Sequence, residues 1–329
     1  MIDRRSFIKA SAILGSASLL SPALAQGNAR VVRFTTGFLP GGSVDTTCRL
    51  LIDGVTKLST GYSPIVETRS GAAGRLAVAA VKSSSPDGTN LLYTPGNVLS
   101  LLPHVFKTVE YDPFKDLVPV QSVYTFGFVF SVGPGVPQEV RTLPDYLRWA
   151  KANPSKAFFG SPATGASPHL LGMQLSKLTD TPLTHVGYKG GGPMMTQDIL
   201  RGDVPAALQV TGDVLPHQAP DQIRTLASFG KERTPFLPNV PTIGELGYPQ
   251  LANEDFGAVF APSGTPQPII DRWAQAIRQV VAQPSFKKGC ETVAVLPNMN
   301  DAEQTARSLK EDHAFWAKVV NSTGFPLIE

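Results

Sequence analysis

The chain has 329 residues, a formal net charge of +3 and 42% hydrophobic residues. That length is enough to bury a full core and suggests two domains, and the hydrophobic share is that of a globular chain. A charge balance this close to neutral lacks the basic face that nucleic acid requires.

The first 25 residues read as an export signal. Arg4, Arg5 and Lys9 make a positive start, an apolar run covers 10–20, and Ala23-Leu24-Ala25 offers the small-x-small pattern of a cleavage site. The run is too short to cross a bilayer core of about 30 Å as a stable helix. Asp3-Arg4-Arg5-Ser6-Phe7-Ile8-Lys9 resembles a twin-arginine signal; an ordinary secretory signal with two adjacent arginines is the competing reading. Cleavage after Ala25 would place the mature chain in the periplasm. It removes Asp3, Arg4, Arg5 and Lys9 and so brings the net charge to +1. No later stretch approaches a transmembrane span, and no lipobox cysteine precedes the cleavage site. A soluble monomer is expected.

Beyond the signal, short β-rich runs alternate with helical stretches, which is an α/β pattern. Strands are expected over 31–36, 63–67, 90–94, 117–121, 126–132, 157–160, 184–186, 206–210, 224–229, 256–261 and 292–296. After the first strand, Cys48, Leu51, Ile52 and Val55 share one helical face. Thr142-Leu143-Pro144, Ser167-Pro168 and Thr265-Pro266 each open a helix with a hydroxyl cap and a proline in the first turn. A last helix carries Ala302, Ala306, Leu309, His313, Trp316 and Val320. No flexible linker separates two end-to-end domains, so two lobes imply a chain that crosses between them more than once. Cys48 and Cys290 form no close pair. A disulfide is allowed outside the cytoplasm, but two buried thiols are the simpler reading.

The usual catalytic signatures are missing. The chain has no Gly-x-Ser-x-Gly elbow, no His-Glu-x-x-His and no Walker loop. The five histidines lack metal-ligand spacing, and His313 on its apolar helical face reads as a packed side chain. No cofactor is called for. What the sequence does supply is three glycine-rich loops between strand and helix: 38–45, 160–169 and 187–193. Glycines let backbone N–H groups approach a ligand closely, and the helix behind presents its positive end. Such loops hold a carboxylate without a charged side chain. Each alone is a weak signal, because most such loops are tight turns. Together they suggest a cleft lined by amides at the carboxyl ends of the strands.

These residues also carry a family resemblance. Phe38-Leu39-Pro40-Gly41-Gly42-Ser43-Val44-Asp45, with Arg49 following, resembles the Phe-x-Pro-Gly-Gly-x-x-Asp-x-x-x-Arg opening of the Bug receptors, the extracytoplasmic receptors of tripartite tricarboxylate transporters. Similar segments follow in order at 85–92, 111–117, 160–170, 185–190, 237–247 and 261–266. The resemblance implies a type II periplasmic-binding-protein fold, two α/β lobes joined by crossing strands. Lobe 1 would comprise 26–125 and 256–329, and lobe 2 would comprise 126–255. It implies a receptor, not an enzyme, that captures a small organic acid and delivers it to membrane permease subunits. A ligand sensor for a membrane signalling system is the alternative output, with a periplasmic enzyme built on this fold as the more remote one. Carried over residue by residue, Phe38, Leu39, Pro40, Gly41, Gly42, Ser43 and Asp45 would line one side of the cleft, with Thr94, Gly96 and Asn97 beside them. Ser161, Thr164, Gly165, Ser167, His169, Gly190 and Gln209 would line the other. Ser167-Pro168-His169 is also readable as a plain helix cap. Pro162 and Thr164 depart from the family's glycine-rich run, and Gln209 stands where an Asp is common.

Overall fold

The computed structural model describes residues 30–58, 61–188 and 191–329. The expected signal segment and Gly190 lie outside the described residues. Strand β1 (Arg30–Thr36) alternates as a half-buried strand should, with Val32 and Phe34 fully buried. It pairs in parallel with β2 (Tyr62–Thr68) on one edge and β3 (Asn90–Pro95) on the other. Between them the helix Ser43–Lys57 buries Cys48, Leu51 and Val55, the face set by their spacing of three and four.

The next strand, β4 (Leu117–Val132), corrects the expectation of two separate strands over 117–121 and 126–132. It is one strand of 16 residues. The residues between the two expected strands, 122–125, stay extended, and the polar side chains here find partners far along the chain. Gln121 Nε2 donates to Asn300 O at 2.7 Å, and Ser122 Oγ meets Thr305 Oγ1 at 2.9 Å. Two register shifts absorb the irregularity.

The remaining strands are β5 (Phe158–Ser161), β6 (Thr184–Gly187), β7 (Ala206–Val210), β8 (Arg224–Ser228), β9 (Glu254–Pro262) and β10 (Leu296–Pro297). The expected strand over 292–296 survives only as this last two-residue pairing. The helix Pro284–Glu291 ends in turns that occupy the N–H groups of Val293, Ala294 and Val295, so they are lost to a ladder.

The strand order is β2-β1-β3-β9-β4-β7-β5-β6, with β8 and β10 also paired to β4. From Leu117 to Gly127, β4 runs antiparallel to β9; from Phe128 to Val132 it runs between β7 and β8. The partner change at Gly127–Phe128 divides the sheet into two α/β lobes. Parallel strands β1 and β3 point their carboxyl ends toward the second lobe, and β5 and β7 point theirs toward the first.

The helix Ala302–Thr323 straps both lobes from behind. Asp301 and Gln304 form a reciprocal capping box, and Gly324 closes the other end at φ 66°. Ser322 Oγ donates to Gln174 Oε1 at 2.7 Å, and Lys177 Nζ donates to Ser322 O at 2.6 Å, both in the second lobe. Trp316 is 1% exposed in a core that runs without a break from Leu92 and Phe260 to Leu170 and Leu171. A separate layer in the first lobe buries Cys48 and Cys290 as free thiols. Trp316→Ala should therefore loosen both lobes at once. We expect a loss of about 3–5 kcal/mol in urea denaturation, with one shared transition rather than two.

Candidate functional site

The first loop is shaped by its own side chains. Gly41 sits at φ 99°, a conformation open to glycine. Its N–H donates to Asp45 Oδ2 at 3.1 Å, and Arg49 Nε holds both Asp45 oxygens at 3.0 Å. Burial pushes the Asp45 carboxyl up, but the Arg49 guanidinium and the Gly41 N–H outweigh it and hold its pKa below the ordinary value. Asp45 is thus a buried, ionised brace for the loop.

Gly42 caps the 15-residue helix with no side-chain hydrogen bond. The first-turn N–H groups of Ser43 and Val44 have no preceding turn to bond. Leu39, Pro40, Gly41 and Gly42 are exposed, and a Cβ at either glycine would meet nothing within 4 Å. The loop therefore offers a positive helix end with open space in front of it.

Phe38 and Val98 pack around Gly74, which brings this loop beside the end of β3. There Thr94 and Gly96 are buried, and Gly96 admits no side chain because a Cβ would fall 2.7 Å from the Phe256 ring. Asn97 is half-buried, and its Nδ2 donates to Ser167 Oγ at 3.1 Å, a direct bond between the lobes. Ser167 is not the helix cap. The cap is Ala166, again without a side-chain bond, so a second uncapped helix end, Ser167–Leu178, opens at the same junction.

In the second lobe the loop is braced by histidines. Gly165 at φ 81° donates its N–H to His169 Nδ1 at 3.1 Å, so Nε2 carries the proton of a neutral His169. His169 stacks on His185 with ring centroids 3.4 Å apart. Ser161 Oγ donates to Ala163 O at 3.1 Å and lies 2.7 Å from His185 Nε2, from which it accepts. Ser161, Gly165, Ser167 and His169 are buried, while Thr164 is exposed and lies over Gly187. Gln209 is fully buried in β7 and accepts from Thr196 Oγ1 at 3.3 Å; it faces helix Gly191–Arg201 (α/β packing), not open space.

The structure thus brings Phe38, Asn97 and Ser167 into one neighbourhood, beside two helix ends that lack side-chain caps. Sequence reasoning missed two contributors. His185 lies in the segment 185–190 that carries the resemblance and has no expected role there, although it supports His169. Asp255, at the start of β9, accepts the N–H of Asn97 at 3.3 Å and so fixes the end of β3; its place before an apolar run was the one available signal. Two cavities of about 340 Å³ open at the lobe crossing, and neither is lined by the glycine-rich loops.

The histidine pair sets a pH dependence. Burial, then His185, lowers His169 to about 3, and burial lowers His185 to about 4. Unfolded histidines titrate near about 6.5, so below that pH the unfolded chain takes up protons that the folded loop refuses. Stability is therefore lost as pH falls from about 6.5 toward 4, by up to about 2.7 kcal/mol per pH unit for the pair. Urea titrations across this window should show that slope, and His185→Phe should remove about half of it. An unaltered slope in the variant would contradict the neutral pair.

With this geometry in place, comparison with known proteins is direct. Residues 48–325 match the family described as tripartite tricarboxylate transporter family receptor, TctC. Protein BugT of Bordetella pertussis is 30% identical over 304 residues, covering 91% of each chain. Among solved structures, an R. palustris protein with adipate superposes with a TM-score of 0.81 at 26% identity, covering 91% of this chain and 99% of that one. The periplasmic binding protein BugD gives a TM-score of 0.78 at 24% identity over the same shares, a likeness of fold. The chain belongs to the TctC family of tripartite tricarboxylate transporter receptors, the Bug receptors.

Proposed function

We propose that this receptor captures a small organic acid between its lobes in the periplasm and delivers it to the permease subunits of a tripartite transporter, with no chemical step. One observation supports the reading: the helix Ser43–Lys57 begins in an exposed loop with no side-chain cap, while Asp45, the acid of that loop, is held by Arg49 and Gly41. A carboxylate meeting that helix end finds backbone donors and a positive dipole, and no competing negative charge. The second uncapped helix end, at Ser167, would serve another carboxyl of the same ligand. The adipate in the R. palustris relative supports this class of ligand. The lobes, 26–125 with 256–329 and 126–255, would close about β4 and β9. Closure would exclude water and strengthen each amide–carboxylate bond. Removal of a twin-arginine signal after Ala25 would complete the mature protein.

A thermal-shift screen of aliphatic and aromatic mono-, di- and tricarboxylates tests the ligand class. An acid present at 100 times its dissociation constant should add about 2.7 kcal/mol of stability. The reading fails if no acid shifts the transition while neutral diamides do. The donor itself is tested by Ser43→Pro. Proline suits the first helical position but has no N–H, so the fold should survive. Affinity for the acid found in the screen should fall about 10- to 100-fold, the worth of one hydrogen bond to a charged group. Unchanged affinity by calorimetry would remove this helix end from the site.

A further inference from the structure

The cavity on the strap side of the crossing has a chemistry opposite to that of the loops. It is enclosed by the start of β9, the middle of β4 and the helix Ala302–Thr323, and its volume is about 340 Å³. Asp255 is 2% exposed there. One of its oxygens, Oδ1, accepts the N–H groups of Phe256 at 2.8 Å and Asn97 at 3.3 Å. The other, Oδ2, is buried without a hydrogen-bond partner, as is Oδ1 of Asn253, itself 5% exposed. Both residues line the cavity, together with Glu254, Glu311 and Asp312. Lys231 stands at the exposed rim and comes within 4 Å of no carboxylate among the described residues.

Native proteins rarely leave buried acceptors unpaired, and an unpaired buried carboxylate is the costliest case. Four carboxyls facing one distant ammonium lack the positive charge and the N–H donors that would satisfy them. No cluster of three metal-binding side chains occurs among the described residues. The cavity is also about ten times the volume of one water, roughly 30 Å³, and lies in the size range of small-molecule sites. These features exclude a tightly coordinated bare ion as the best fit. We propose that this pocket binds a small organic cation bearing N–H donors, a primary ammonium or a guanidinium, with Asp255, Asn253 and Asp312 as its acceptors.

The carboxyls' response to pH agrees. Burial, and then neighbouring Asp312, raises Asp255, while burial raises Asp312 to about 7 despite Lys231. Of the charged groups that face the pocket, Glu254, Asp255, Glu311 and Asp312 add negative charge and Lys231 opposes it. A bound cation would hold the carboxyls ionised, so binding should release protons and weaken as pH falls below about 7.

The site is tested by calorimetry and thermal shift on the intact protein, with agmatine and n-butylammonium as probes. Tetramethylammonium, which has no N–H, and calcium chloride serve as comparisons. At pH 8.5 agmatine and butylammonium should raise the transition at millimolar concentration, and at pH 5.5 the effect should shrink at least tenfold in affinity. Asp312→Asn, on the partly exposed face of its helix, should weaken agmatine at least tenfold, and Lys231→Ala should tighten it. The proposal is overturned if neither ammonium binds, if tetramethylammonium or calcium binds as well, or if Asp312→Asn leaves agmatine affinity unchanged. Binding of the organic acid at the glycine-rich loops should persist in Asp312→Asn, so the two sites stand or fall separately.

Discussion

Everything in this molecule depends on one strand that serves two sheets. β4 exchanges β9 for β7 and β8 at Gly127–Phe128 without interrupting its own extended backbone. Each lobe therefore inherits its orientation from the other through covalent geometry rather than through a flexible connection. The chain passes between the lobes along β4 and returns at β9. The crossing also places the carboxyl ends of the parallel strands of the two lobes toward one another.

In the two glycine-rich loops the ionisable side chains are either paired or held neutral. Asp45 is neutralised by Arg49, and the two histidines are held uncharged by burial. What remains at these loops is the field of the helix ends, whose partial charges are fixed in direction. Backbone N–H groups at a helix end recognise a carboxylate through geometry that many acids share. Behind the crossing the balance reverses, with carboxyls gathered at the strap.

Much of this was legible in the sequence, for identifiable reasons. Helices announced themselves through the spacing of Cys48, Leu51 and Val55 and through the Thr142 capping box, which the structure contains. The glycine-rich loops were legible because glycine at φ 99° and 81° has few substitutes. The unity of β4 was hidden, since Gln121 and Ser122 look like a turn until Asn300 and Thr305, almost two hundred residues later, supply their partners. The same distance hid Asp255, whose bond to Asn97 spans 158 positions. The internal partners of Ser161 and Ser167 were equally hidden, because sequence shows a side chain's chemistry and not its commitments. In the folded loop one is bonded to Ala163 and His185, the other to Asn97.

The strand order also dictates the sequence in which the molecule is assembled. β9 lies between β3 and β4 in the first lobe, yet it is made only after the whole of the second lobe. The second lobe's strands are contiguous in the chain, so it holds all its pairing partners while synthesis continues. The first lobe must wait with β3 unpaired on one edge. The cell thus meets a half with all its strands tethered to an unfinished one, and the half that waits is the one carrying the Gly41–Gly42 loop.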